Sequence, residues 1–160
     1  MLRDDPTQAG RAQDFAAKVS DASELVHRLG PAAVRHPLPL VAAYHDPCHL
    51  AHGQRIRAAP GEALRAIPGL TLREIREPEI CCGSAGIYNL IEPEPAAWLG
   101  KRKTLNVLET GAELLVTGNA GRLLQIRASL DRMRNQLPLA HPMQVFDAAL
   151  SGDPVTTLTR

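Results

Sequence analysis

Four short apolar runs, each followed by a helical pattern, constrain this 160-residue chain more than any other feature of it. Residues 38–44 read Leu-Pro-Leu-Val-Ala-Ala-Tyr, short and apolar enough for a strand buried on both faces. Residues 70–75 alternate as Leu-Thr-Leu-Arg-Glu-Ile, residues 113–117 read Glu-Leu-Leu-Val-Thr, and residues 138–140 supply a shorter fourth run. Helices are predicted between and after them. One spans 60–67, with proline in its first turn and Pro68-Gly69 as its stop. One spans 93–109, with Trp98, Leu105 and Leu108 on one side and Gly111 beyond its end. One spans 120–134, where Leu123, Ile126, Leu130 and Met133 share a face, and the last spans 143–150. This alternation predicts an α/β fold, a parallel sheet of about four strands with helices on both faces. A preceding amphipathic helix over 8–29 carries Phe15, Val19, Ala22, Val26 and Leu29 on one face, with Thr7 as its cap and Gly30-Pro31 as its stop. The chain thus divides into an N-terminal helix and connector (1–37), an α/β domain (38–151) and a tail (152–160).

Composition removes several function classes. A net charge of +1 gives no case for a nucleic-acid or anionic-membrane partner. No run of 18 apolar residues is present, so no membrane span is expected, and the first residues lack the apolar core of a signal peptide. A cytoplasmic protein is the expectation. Only three of the 18 basic residues are lysine (Lys18, Lys101 and Lys103), a bias to which no function attaches. Three cysteines, Cys48 and the adjacent Cys81 and Cys82, cannot make a disulfide framework.

Each strand instead ends in a motif. His-Asp-Pro-Cys-His (45–49) follows the first, Cys-Cys-Gly-Ser-Ala-Gly (81–86) the second, Gly-Asn-Ala-Gly-Arg (118–122) the third and His141-Pro142 the fourth. Carboxyl ends of parallel strands share one edge, so motifs distant in sequence converge there. Asp46 suits a helix cap and Pro47 a first helical position, which would put Cys48 in the first turn of a short helix ended by Gly53. A thiol there is shifted toward thiolate, the metal-binding form. His45, His49 and His52 would share a face of that helix if it is continuous, a spacing found in zinc sites, although each histidine can equally cap, pack or face solvent. Vicinal cysteines rarely bond to each other. With Gly83 and Gly86 able to bring backbone amides close to a charged group, that loop reads as a metal or redox element. Asn119 is the expected cap of the following helix, with Gly121 and Arg122 in its first turn. His141-Pro142 reads as packing.

These motifs, in this order and spacing, resemble the cysteine-rich CCG domain. That domain recurs in heterodisulfide reductase, lactate-utilisation proteins, anaerobic glycerol-3-phosphate dehydrogenase and the iron–sulfur subunit of glycolate oxidase. The likeness is strongest to the second, C-terminal domain of the last and covers residues 8–151. It implies an iron–sulfur cluster of the 4Fe–4S type held by Cys48, Cys81 and Cys82, with His45 and His49 as further candidate ligands. Gly83, Gly86, Asn119 and Gly121 would contribute amides around it. It further implies electron relay from a flavin-containing oxidase subunit that oxidises a 2-hydroxy acid, without turnover by this chain alone. The family's third motif normally reads Asn-Pro-Gly-Cys, whereas this chain has Asn119-Ala120-Gly121-Arg122. A guanidinium has no lone pair for a metal. Ligation would then fall to three thiolates with His45, His49, Asp46 or an external group; alternatively the site holds zinc, or is metal-free with Arg122 facing a thiolate or an anion. The family subunit carries two ferredoxin-like cysteine runs and a first CCG domain upstream; this sequence contains none of them.

Overall fold

The computed structural model describes residues 2, 4–30, 33–46 and 49–159, and for 49, 51 and 52 the backbone alone. Four strands, β1 (Leu40–Tyr44), β2 (Leu70–Arg73), β3 (Leu114–Val116) and β4 (Leu139–Ala140), form one sheet in the order β2-β1-β3-β4. Every pairing is parallel, as the apolar runs predict; Leu40 lies opposite Leu70, Ala42 opposite Leu114 and Val116 opposite Ala140. Successive side chains of a strand point to opposite faces, and the core divides accordingly. Leu40, Ala42, Leu114 and Val116 pack with α3 (Ala58–Arg65) and α7 (Pro142–Ser151). Ala43 and Leu115 pack on the other face with Val107 of α5 (Pro93–Leu108) and Ile126 and Leu130 of α6 (Ala120–Arg132). Leu158, beyond the last helix, also reaches the first cluster.

From β1 the chain crosses to β2, then returns to β3 on the other flank of β1. The strand order therefore reverses between the carboxyl ends of β1 and β3, where open parallel sheets leave a crevice.

Three expectations are corrected. The N-terminal helix is two helices, α1 (Ala9–Ala16) and α2 (Ala22–Leu29), because the Asp21 carboxylate accepts the Ser23 N–H at 2.8 Å and starts a new helix. Val26 packs on the core, but Phe15 is 71% exposed and Val19 and Leu29 are also exposed, so the expected apolar face is not buried. Asp5, not Thr7, binds the amides before α1, accepting from the N–H groups of Thr7 and Gln8. In α5, Trp98 is 57% exposed and Leu105 is exposed, while the buried face is Ala96, Gly100, Lys103, Thr104 and Val107. Small residues face inward because another backbone lies against this helix, and that backbone belongs to the cysteine loop. The short α4 (Tyr88–Ile91) links that loop to α5.

Candidate functional site

His45 is not helical. Its N–H donates to Val116 O at 2.9 Å and its C=O accepts from Thr117 Oγ1 at 2.9 Å, which carries the β1–β3 ladder past the strand ends. The described helix after it is a π-helix, His49–Gln54, that runs through Gly53 instead of ending there. The three-histidine face therefore does not form, both because His45 precedes the helix and because a π-helix has a wider turn. Pro47 and Cys48 lie outside the described residues, as do the side chains of His49 and His52. The expected cap at Asp46 consequently falls on undescribed backbone.

The first and third motifs meet at the point of strand reversal. Asn119 caps α6 as predicted, its Oδ1 accepting the Arg122 N–H at 3.0 Å. The Arg122 side chain is only 3% exposed, and its Nη1 donates to the Asp46 carbonyl. Residues 76 positions apart are thus joined by one charge-assisted bond. Burial, followed by the charges of Arg122 and Lys103, holds the His45 imidazole well below its usual titration range and therefore neutral. Its Nδ1 is buried without a hydrogen-bond partner among the described residues. Burial likewise raises the neighbouring Asp46 carboxyl.

The second motif joins from the other side. Cys82 is buried in the α5–α6 cluster, and Cys81 is half-buried. The Gly83 N–H points at Cys81 Sγ across 3.3 Å, and Cys82 Sγ reaches Ser84 Oγ at 3.5 Å. Ser84 Oγ in turn lies 3.7 Å from where a Cβ on Gly121 would stand, so the cysteine loop touches the start of α6. Gly83 has φ +86°, and its missing Cβ would lie 2.3 Å from Ala96 O; only glycine fits that approach to α5. Gly86 also has positive φ, but with open space around it. His141 stands apart, capping α7 through Nδ1 and the Met143 N–H in a box with Gln144.

A bracket that motif reading missed holds the approach to the cysteines. Lys103 has no exposed surface, and its Nζ donates to the carbonyls of Glu77 at 2.7 Å and Pro78 at 3.2 Å. Glu77, at φ +53°, receives Arg102 at both carboxylate oxygens and Asn106 Nδ2 at 2.8 Å. The Arg102 hydrogen bonds, then Asn106, lower the Glu77 carboxyl from its ordinary 4.5 to about 2. A carboxyl depressed in the folded state adds stability above its unfolded value, and that stability is lost as pH falls from 4.5 toward 2. Glu77→Gln is therefore expected to flatten the pH dependence of the melting temperature in that window. An unchanged acid limb would show that the cluster does not couple to folding.

The donor set can be weighed against a metal group. Among the described residues, no three of His, Cys, Asp and Glu come together to hold an ion. An amide on Cys81 Sγ, and two buried cations bearing on His45, suit thiolates and a negatively charged centre. A centre with four thiolates does not fit, because Arg122 stands where the resemblance puts the fourth. Cys81 and Cys82 are the two thiols among the described residues, and Cys48, the third the resemblance calls for, lies outside them.

A sequence model of the cysteine-rich CCG domain matches residues 42–127. A probable glycolate oxidase iron–sulfur subunit of Bacillus subtilis is 36% identical over 134 residues, covering 82% of this chain and 30% of the relative. An uncharacterised iron–sulfur protein of Methanococcus maripaludis is 32% identical, over 83% of this chain and 28% of its own length. Lactate utilization protein A 2 of Bacillus mycoides is 30% identical over 92% of this chain and 62% of its own. The chain thus spans less than two thirds of each of these relatives.

Proposed function

This chain belongs to the cysteine-rich CCG domain family, and on that premise we propose that it is an iron–sulfur electron-transfer module of a 2-hydroxy-acid oxidoreductase of the glycolate oxidase type. It would work with a flavin-containing oxidase subunit and have no turnover alone. The observation that carries this reading is the meeting of the first and third motifs where the strand order reverses, tied by the Arg122–Asp46 bond, with the cysteine loop against the start of α6. Cys48, Cys81 and Cys82 are the proposed ligands, with the fourth position left to His45, His49, Asp46 or an external group. The neutral state of His45 and its unpartnered Nδ1 support its candidacy. An iron–sulfur centre supplies one-electron transfer at a potential set by charge and hydrogen bonding around its sulfurs. Here the Gly83 amide bonds Cys81 sulfur, and the buried Arg122 charge favours whichever state is more negative. Both would push the potential of such a centre upward.

Such a module would work in the cytoplasm beside its partner subunits; no helix among the described residues is long and apolar enough to cross a membrane. A second reading follows from the buried guanidinium at the fourth position: this copy of the domain binds zinc or no metal and docks subunits. Elemental analysis of anaerobically reconstituted protein separates the two. The first reading expects iron and acid-labile sulfide with visible iron–sulfur absorption, abolished in Cys81→Ser and strengthened in Arg122→Cys. Absence of iron from both the native chain and Arg122→Cys would overturn it. One zinc per chain, or no metal, would leave the docking reading.

A further inference from the structure

A cavity of about 600 Å³ opens between the carboxyl ends of β1 and β2 and helix α3. Its volume falls within the range that encloses small organic ligands, roughly 300–1,000 Å³. Leu72, Ile75 and the Tyr44 ring give it an apolar side. Its charge is one-sided, since Arg57, Arg65, Arg73 and Arg76 line it against Asp46 and Glu74.

Three of those arginines are committed. Arg57 pairs with Glu79 at 2.6 Å, Arg73 donates to Thr110 O, and Arg76 reaches Asn106 and Glu109. Arg65 makes no hydrogen bond or ion pair among the described residues, although its charge bears on Asp46. Its guanidinium folds back over Gly61, where a Cβ would lie 3.2 Å from Nη1. Absence of a side chain at 61 thus leaves Arg65 lying along the helix at the cavity wall.

We propose that this cavity binds a small organic anion, a carboxylate or phosphate head on the Arg65 guanidinium and an apolar body against Leu72 and Ile75. A planar fork of donors matches either oxyanion bidentately. Arg73, tied to a carbonyl and not to a carboxylate, leaves a second positive charge beside Arg65 that offsets Asp46. The cavity shares Asp46 with the candidates for the fourth metal position, but Arg65, which would hold the anion, is not among the proposed ligands.

Calorimetry with four probes tests this on the intact chain. Hexanoate and hexyl phosphate carry both head and body, acetate lacks the body, and hexanol lacks the head. At least one of the first two is expected to bind about tenfold tighter than acetate or hexanol, the scale of one charge-assisted hydrogen bond. Which of the two it is distinguishes a carboxylate ligand from a phosphate one. Arg65→Gln, at an exposed position, is expected to lose about that factor, and amide shifts on titration should cluster at Gly61, Leu72 and Ile75. No binding by either amphiphilic anion, equal binding by Arg65→Gln, or shifts mapping elsewhere would each overturn the proposal.

Discussion

Gly83→Ala is expected to destabilise the chain by about 2–5 kcal/mol, combining a left-handed backbone that costs about 1–2 with overpacking that costs about 1–3. Both contributions are visible at the residue. Its φ is +86°, and the added Cβ would meet Ala96 O at 2.3 Å and Ala96 Cα at 2.9 Å. Those atoms are helix backbone and cannot rotate away, so either α5 or the cysteine loop must move. Gly100 makes the same interface from the other side, where a Cβ would stand 3.3 Å from Cys82 O. Gly86→Ala is the control, because φ is +54° there but nothing lies within 4 Å. It carries the backbone cost alone, about 1–2 kcal/mol. Urea denaturation of both variants measures the difference. Equal losses would mean that loop conformation, and not the approach of α5, decides the stability of this region. A drop in metal content of reconstituted Gly83→Ala beyond that of Gly86→Ala would further connect the contact to the position of Cys81 and Cys82.

That contact also explains which parts of the structure could be read from sequence. The strands were legible because a parallel strand buried on both faces is a run of apolar residues, and Leu40–Tyr44 and Leu114–Val116 are such runs. Helix α6 was legible because Ile126 and Leu130 are buried in the second core cluster, so helical periodicity reports burial. Helix α5 was legible in its bounds but not in its buried face, because that face meets a backbone. Its inward face is small and polar, and Trp98 is left outside over Arg102 at 5.2 Å. The break before α2 had a signal in Asp21 and Glu24, a cap spaced three residues from an acid, but the longer apolar periodicity across it hid that signal. Of the site, Arg122 stood out as a departure from an expected cysteine. Its partner did not, since a main-chain carbonyl 76 residues away leaves no trace in sequence.

Lys103 shows the same limit most sharply, and its replacement carries the second large effect. Lys103→Met is expected to destabilise the chain by about 1–3 kcal/mol, since Pro78 O loses its donor and Glu77 O one of two, an acceptor left without a donor costing about 1–3, partly offset by no longer burying an ammonium. Glu77 O and Pro78 O, which accept from it, lie on the turn leading to Cys81. Glu77 O also accepts the Ile80 N–H at 3.1 Å, so the ammonium and the turn share one acceptor. Loss of the ammonium removes one of the ties, beside those from Arg102 and Asn106, that hold Glu77 at positive φ, where a side-chain-bearing residue resists staying. The damage should therefore be local before it is global. In native-state hydrogen exchange the Ile80 amide is expected to lose protection well ahead of β1 and β3, whose ladder does not involve Lys103. Alkylation of the half-buried Cys81 should accelerate in parallel, while the core-packed Cys82 stays protected. A variant that melts like the parent would show that Lys103 secures neither turn nor core, and one that loses Ile80 and strand protection together would show that it serves the core as a whole and not the turn that presents the cysteines.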